Sequence, residues 1–173
     1  QDAGLQLKSQ ANIGNGANLS WHWTQPRTGE GDYWDTTLRN QVFDKFIITE
    51  AIALKTHLMW SNTYDYLDSF YNYAARRSPA IEMYIYETWH CINSGTPTKC
   101  MYDEDSHIAW RSRLDLDRPL WEGIADHLNN RVPNTAFMIP GGQAMAKLHD
   151  AILAGAEAVT VGPLAWDQIV ATW

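Results

Sequence analysis

The sequence predicts one α/β domain with a parallel sheet covered by helices on both faces. Short apolar runs alternate with helical patterns four times along the chain, and this order produces parallel strands joined by crossover helices. The 173 residues are 45% apolar and 19% charged, which is an ordinary composition for a globular domain of this size. Because no linker, repeat or low-complexity tract divides the chain, residues 1–173 are predicted to form a single domain.

The start of the chain is predicted to hold one strand and one short helix. Leu5–Ile13 has the inward-facing apolar positions of a strand, and the glycine-bearing stretch Asn12–Asn18 is predicted to turn at its end. Residues 20–34 hold one proline and two glycines and are predicted to form a loop. A short helix is predicted over residues 34–42.

The middle of the chain is predicted to alternate strand, helix and strand. Phe43–Thr49 is an apolar run, and its consecutive Ile47 and Ile48 are typical of a strand covered on both faces. Apolar side chains three to four positions apart predict one long helix over Leu54–Arg77. Ile81–Tyr86 is the next predicted strand.

The remainder of the chain is predicted to complete the sheet. A long loop over His90–Arg113 precedes a helix over Arg118–Arg131, in which Pro119 lies near the first turn. Thr135–Ile139 is the fourth predicted strand. The helices predicted after it are Gln143–Leu153, ended by Gly155, and residues 164–173.

Polar residues follow each predicted strand. The strand ends are NIGNG, ITE, YETWH and IPGG. In an open parallel sheet, ligands bind in the crevice outside the carboxyl ends of the strands. One crevice is therefore expected to gather Asn12, Asn15, Gly141, Glu50, Glu87 and His90.

Several of these residues also have other interpretations. Glu50 is suited to cap the helix that follows it, and Glu87 and His90 are suited to pair with each other in a structural role. Glu50, Glu87 and His90 could supply three metal ligands, but no metal site is predicted. GNGANL lacks the third glycine of a dinucleotide-binding turn, so no nicotinamide or other cofactor is predicted.

Nine tryptophans and eight tyrosines are many for this length. Aromatic rings bury large areas and also keep a polar group, so they serve in cores and in ligand clefts alike. One interpretation is a tryptophan-rich core, and the other is a flat ligand such as a sugar stacking in a cleft. The candidate ligand-binding rings are Trp21, Trp23, Trp60 and Trp89.

Charge and hydropathy exclude several classes of partner. The net charge of −7 argues against nucleic acid, which needs a basic face, and against an anionic lipid surface. No apolar run approaches the roughly 20 residues of a membrane span, so the chain is not predicted to be a transmembrane protein.

The two cysteines are nine positions apart. Cys91 and Cys100 flank a segment with Gly95 and Pro97, and this segment can turn back on itself. A local disulfide is therefore expected, and it would indicate an oxidising compartment, periplasmic or secreted. The alternative is two unpaired thiols.

Three segments together resemble the interior of the SGNH-type (GDSL-like) hydrolases. They are NIGNGANLSWHW after the first strand, ITEA at the next strand end and YETWH at the third. The resemblance spans the chain from about Leu5 to Ile169. It implies a flavodoxin-like, three-layer α/β/α sandwich that cleaves esters, often acetyl groups on polysaccharides or lipids, without metal or organic cofactor.

The resemblance assigns roles to particular positions. The glycine of the family's second block corresponds to Gly14 or Gly16, where a backbone N–H can face an oxyanion. The third block falls at Thr49 and Glu50, without the usual GxND; Thr49 can donate a hydrogen bond, whereas an ionised Glu50 cannot and is expected to orient another group. No serine block precedes the glycine turn, and no DxxH follows residue 164, so the chain is expected to be incomplete at both ends.

Two hypotheses follow from the sequence. In the first, the chain is a segment of a periplasmic or secreted SGNH-like hydrolase acting on small-molecule or carbohydrate esters, with its serine and histidine outside this sequence. In the second, it is a non-catalytic binding or structural subunit that keeps the fold. A protein partner that completes the sheet or cleft is also expected, because an incomplete sheet exposes an edge. The predicted catalytic residues are Gly14, Gly16, Thr49, Glu50, Glu87 and His90, and the predicted substrate-binding residues are Asn15 and the four tryptophans named above.

Overall fold

The computed structural model describes residues 8–99 and 102–155, which form a mixed α/β structure. A three-stranded parallel sheet is packed by helices, and a small antiparallel pair of strands lies apart from it. In chain order, the elements are β1 (Asn12–Ile13), α1 (Leu19–Thr24), β2 (Glu30–Gly31), α2 (Trp34–Asn40), β3 (Lys45–Ile48), α3 (Leu54–Trp60), α4 (Thr63–Ala75), β4 (Glu82–Tyr86), α5 (Trp110–Arg131), β5 (Ala136–Ile139) and α6 (Gly141–Leu153).

The parallel sheet has the strand order β3-β4-β5, so β4 is its central strand. Side chains alternate across β4, where Met83 and Ile85 are buried and their neighbours are half-buried. Because successive side chains of a strand point to opposite faces, Met83 and Ile85 mark the face that packs against the core.

The main core lies between that face and helices α4 and α5. Leu67, Phe70 and Ala74 of α4 are buried at three- and four-residue spacing, the periodicity of one helical face. Trp121, 1% exposed, is the largest buried side chain that α5 adds to this core. The sheet contributes Ile48, Met83, Ile85 and Ala136. The predicted alternation of three strands with helices is thus confirmed for β3, β4 and β5.

The first predicted strand is wrong in extent and in partner. Of its described residues only Asn12 and Ile13 are in a strand, and they pair antiparallel with Glu30 and Gly31. Gly31 has a φ of +90°, and a Cβ at that position would collide with the carbonyl oxygen of Ala11. A glycine thus permits a close backbone approach that the apolar pattern of Leu5–Ile13 does not reveal.

Two predicted helices have different boundaries in the structure. The helix predicted over Leu54–Arg77 is divided into α3 and α4, because Asn62 adopts a left-handed φ of 51°. Helix α5 begins at Trp110 rather than Arg118, so Pro119 lies inside it. Burial of Trp110, 5% exposed, and of Leu114, 2% exposed, favours the longer helix despite the proline.

Two further predictions differ from the structure, and one is confirmed. Residues 20–34 are not all loop, since most of α1 lies there, capped by Asn18, whose side chain accepts a hydrogen bond from the Trp21 N–H. Ile47 is 60% exposed, so the prediction that β3 is covered on both faces is wrong for the described residues. Gly155 follows α6 with a φ of +69°, as predicted for its end.

The helix predicted over residues 164–173 lies outside the described residues, as do Cys100 and the start of the first predicted strand. In the described ranges, no helix is both long and apolar enough to cross a membrane.

Candidate functional site

A cavity of about 710 Å³ lies beside the turn between β1 and α1. Four residues predicted from the sequence line it, namely Gly14, Asn15, Gly16 and Trp21. The other lining residues are Ile13, Ala17, Asn18, Gly29 and Glu30. The lining residues thus include one indole ring, two amide side chains, one carboxylate side chain and a glycine-containing turn.

The turn at this cavity requires both of its glycines. The N–H of Ala17 donates to the carbonyl of Gly14 at 3.0 Å and closes the turn. A Cβ on Gly14 would meet the Trp21 ring at 2.7 Å, and Gly16 has a φ of +68° with open space around it. Gly14 is therefore needed for close packing and Gly16 for backbone conformation.

Asn18 connects the cavity wall to helix α3. Its Nδ2 lies 3.2 Å from His57 Nδ1 and 3.2 Å from Ser61 Oγ, and the latter two atoms are 3.0 Å apart. Its Oδ1 accepts the N–H of Trp21 at 2.8 Å. His57 and Ser61 are not among the site residues predicted from the sequence; their i,i+4 spacing is the signal that relates them.

Glu50 is buried, with 2% exposure, and joins three segments of the chain. Its carboxylate accepts the N–H of Ala51 at 2.7 Å, the N–H of Leu19 at 3.2 Å and the hydroxyl of Thr63 at 2.9 Å. Burial raises the pKa of Glu50, and these hydrogen bonds oppose the rise. Leu19 and Thr63 are the first residues of α1 and α4. Glu50 therefore contacts the starts of these two helices and does not cap α3, the helix that follows it in the chain.

Glu87 is 1% exposed and is held at the start of α6. Its carboxylate accepts the backbone N–H of Gln143 at 3.2 Å and the side-chain amide of Gln143 at 3.1 Å. A Cβ on Gly142 would lie 3.0 Å from the Glu87 carboxylate. Glu87 and His90 have different partners, so the structural pairing of these two residues is not observed.

His90 belongs to a buried cluster of charged groups. Its Nε2 contacts Asp117 and its Nδ1 lies 3.5 Å from Asp103. Arg113 donates to both carboxylate oxygens of Asp103 at 3.1 and 3.0 Å, and lies 3.5 Å from Asp117. The side chains of His90, Asp103, Arg113 and Asp117 are all at most 7% exposed.

The charges of this cluster bind one additional proton. Two carboxylates and one guanidinium leave a net negative charge when His90 is neutral, and an unbalanced buried charge is costly. Burial raises the pKa of Asp117 to about 6 and lowers the pKa of His90 to about 4. Arg113 lowers both values and Asp103 raises both. In mildly acidic solution, the contacting pair of His90 and Asp117 therefore holds one proton.

The rim residues predicted from the sheet do not line the cavity. Glu50, Glu87 and His90 are buried and make the contacts just described. The hydroxyl of Thr49 donates to the carbonyl of Tyr86 at 2.8 Å. The reason is that β1 pairs with β2 and is not part of the parallel sheet. The catalytic roles given to these four residues remain predictions. Among the described residues, no cluster of three or more His, Cys, Asp or Glu could hold a metal ion.

The four candidate tryptophans occupy different environments. Trp21 lines the cavity, whereas Trp23 stacks on Trp34 with ring centroids 5.1 Å apart and packs on the main core. Trp89 is half-buried against a small cluster of Trp110, Leu114 and Ala146. Trp60 is 77% exposed. Trp21 is thus the candidate that the cavity supports.

Backbone hydrogen bonds hold the segment that follows Cys91. The Gly95 N–H donates to the carbonyl of Ser106 at 2.8 Å, and the Trp110 N–H donates to the carbonyl of Ser94 at 3.1 Å. Cys100 lies outside the described residues, so the disulfide between Cys91 and Cys100 remains a prediction.

Comparisons of the chain with models of protein families, with curated proteins and with solved structures found no match. The resemblance to the SGNH-type hydrolases therefore depends on the sequence motifs alone.

Proposed function

We propose that this chain is the substrate-cleft segment of an SGNH-like hydrolase that cleaves esters by serine catalysis. The observation that supports it best is the cavity beside the glycine turn. Gly14 and Gly16, the two alternatives that the resemblance gives for the oxyanion-hole glycine, both line this cavity with Asn15 and Trp21. In this proposal, the nucleophilic serine and its histidine base come from residues outside this sequence.

The chemistry of the cavity wall suits this role. Ester cleavage by an activated serine passes through a tetrahedral intermediate whose oxyanion needs nearby hydrogen-bond donors. The peptide N–H groups of the turn and the Asn15 amide are donors of that kind. The Trp21 ring supplies a flat apolar surface for the alcohol part of the substrate, for example a sugar.

The finer fold belongs to the same proposal. A three-layer, flavodoxin-like sandwich needs helices on both faces of the parallel sheet, and α4 and α5 already pack on one face. The periplasmic or secreted location is likewise proposed, and it depends on the disulfide between Cys91 and Cys100.

The test uses the full-length protein encoded by the gene and p-nitrophenyl acetate as the ester. Asn15→Ala removes one donor from the cavity wall, and kcat/KM should fall about tenfold, the effect of roughly 1.4 kcal/mol. Trp21→Ala should mainly raise KM with a bulkier sugar acetate. Trp60→Ala is the matched control, because its ring is exposed and does not line the cavity. Full activity in both cavity variants would contradict the proposal.

A non-catalytic binding subunit is the second candidate. It is favoured by the burial of Glu50, Glu87 and His90, which leaves these three predicted groups without access to a substrate. In that case, the full-length protein would show no ester turnover but would bind soluble glycans. Binding would weaken in Trp21→Ala and would be unchanged in Trp60→Ala.

A further inference from the structure

The charge of the cavity beside the turn between β1 and α1 comes from one residue. Among the described residues that line this cavity, Glu30 alone has an ionisable side chain. All 13 lysine and arginine residues and all six histidines of the chain lie in the described ranges, and none of them forms an ion pair with Glu30. The nearest arginine in the sequence, Arg27, contacts Asp35 at 3.6 Å instead. The cationic side chains of the chain therefore leave the Glu30 carboxylate unpaired.

The β1–β2 pair fixes the position of Glu30 beside the cavity. Ile13 and Glu30 are directly opposite each other in the antiparallel register, and such pairs place their side chains on the same face, about 5 Å apart. Ile13 also lines the cavity. Both neighbours of Glu30 are glycines with a positive φ, and a Cβ on Gly29 or Gly31 would collide with the carbonyl oxygen of Ile13 or Ala11. Close backbone contact on both sides of Glu30 therefore holds it against β1.

The Trp21 ring is the aromatic part of the same lining. Its edge packs on Gly14, where an added Cβ would lie 2.7 Å from the ring. The ring of His22 lies edge-on to it, at a centroid distance of 5.1 Å. Burial lowers the pKa of His22, so this imidazole is uncharged at neutral pH. His22 therefore adds no positive charge that would repel a cation from the indole ring.

An indole ring and a carboxylate attract the same kind of ligand. The face of a tryptophan ring attracts ammonium groups electrostatically, and quaternary ammonium ligands are commonly bound by aromatic side chains. The carboxylate adds a direct interaction between charges. An anionic ligand is repelled by Glu30 and by the net charge of −7. A neutral ligand gains from the ring but not from the carboxylate.

We propose that this cavity selects ligands that carry an ammonium group, with Glu30 binding the positive charge and Trp21 packing on its carbon substituents. In the hydrolase proposed above, the substrate is then an ester whose alcohol part is cationic, such as an amino sugar or choline. The ester rests on the proposed function, whereas selection of the ammonium group does not, because binding requires no catalysis.

The test compares choline with neohexanol, its neutral carbon analogue of the same shape, by isothermal titration calorimetry of the full-length protein. Choline should bind about five- to tenfold more tightly. Glu30→Gln should abolish this preference by weakening choline binding alone, whereas Glu30→Asp keeps the charge and should keep most of the preference. Glu104→Gln is the matched control, because it removes the same charge at an exposed position that does not line the cavity.

Several results would overturn the proposal. They are equal affinity for choline and neohexanol, binding of neither, and an undiminished preference in Glu30→Gln. An equal loss of preference in Glu104→Gln would do the same, since the effect would then come from the net charge of the protein. Trp21→Ala should weaken the binding of both ligands, and unchanged choline binding in that variant would contradict the role of the ring.

Hydrolysis of acetylcholine and of neohexyl acetate, followed by titration of the released acid, separates this proposal from the proposed function. A protein that prefers choline but cleaves neither ester has the ammonium site without the hydrolase activity. A protein that cleaves both esters with the same kcat/KM and binds both alcohols equally is a hydrolase without the site. Faster cleavage of acetylcholine that is lost in Glu30→Gln supports both.

Discussion

The buried charges around His90 titrate as one unit. In the unfolded chain, the pKa values of aspartate and histidine are about 3.9 and 6.5. In the folded protein, burial raises the pKa of Asp117 to about 6 and lowers that of His90 to about 4. Between these limits both states hold one proton, on histidine in the unfolded chain and within the pair of His90 and Asp117 in the folded protein. The two shifts therefore nearly cancel in their effect on stability.

Substitution of His90 or of Asp117 should make the pKa shift of the remaining residue visible in the pH dependence of stability. In His90→Gln, Asp117 keeps its raised pKa, so the folded state binds more protons than the unfolded state between pH 4 and 6. The free energy of unfolding should then fall as pH rises, by up to about 3 kcal/mol. In Asp117→Asn, His90 keeps its lowered pKa, and the free energy of unfolding should rise as pH rises from 4 to 6.5.

Urea unfolding between pH 4 and 7 measures these slopes. The unsubstituted protein is expected to show little change from this cluster over the same range. Slopes of the same sign in His90→Gln and Asp117→Asn would show that the proton is not exchanged between these two groups.

At the scale of an element, the β1–β2 pair depends on one close backbone approach. Gly31→Ala should disrupt the pair, because a Cβ there collides with the Ala11 carbonyl and φ is +90°. Gly16→Ala is the matched control, since its φ is also positive but its surroundings are open. Gly16→Ala should lower the free energy of unfolding by only about 1 kcal/mol.

Chemical unfolding and the NMR resonance of the Trp21 indole N–H provide the measurement for this pair of variants. Gly31→Ala should be clearly less stable than Gly16→Ala and should change the environment of the Trp21 ring. Equal losses would mean that backbone conformation alone, and not the contact with Ala11, determines the requirement for glycine.

Helix α5 contains a proline that its sequence alone would place at a helix start. Pro119 is exposed in the interior of the helix, where it lacks an N–H for the helical ladder. Pro119→Ala should therefore stabilise the protein, by about 1–3 kcal/mol. Thermal or urea unfolding tests this, with Ser112→Ala, exposed on the same helix, as the control of smaller effect. A loss of stability in Pro119→Ala would indicate that the proline relieves strain in α5.

At the scale of the whole molecule, the cavity and the parallel sheet are separate features. The cavity lies at the antiparallel pair, whereas the buried carboxylates of Glu50 and Glu87 hold helix starts against the ends of β3 and β4. The 173-residue chain contains only part of an oxyanion hole in the proposed assignment, and ester cleavage also needs an activated serine and a base.

The 173-residue chain is therefore expected to show no turnover of p-nitrophenyl acetate, in contrast to the full-length protein. Parallel assays of the two proteins at equal concentration provide the measurement. Turnover by the short chain that is lost in His90→Ala or Glu87→Ala, with the fold retained by circular dichroism, would mean that these groups are themselves catalytic.

The sequence by itself determined the elements whose signal is local. The apolar runs of β3, β4 and β5 and the helical period of α6 predicted those elements to within a few residues, because each buries one side of a short segment. The helical period over Leu54–Arg77 predicted the end of α4 but not its start. The glycine turn of the cavity was also predicted, since Gly16 adopts a positive φ that favours glycine.

Only the tertiary structure decided the features that join distant parts of the chain. The strand pairing of Asn12 with Gly31, the contact of Glu50 with Leu19 and the contact of His90 with Asp117 link residues 19 to 31 positions apart. No local pattern encodes such a partner. The free energy of burying these carboxylates depends on which donors surround them in the folded state, and that set of donors exists only after the segments have packed together.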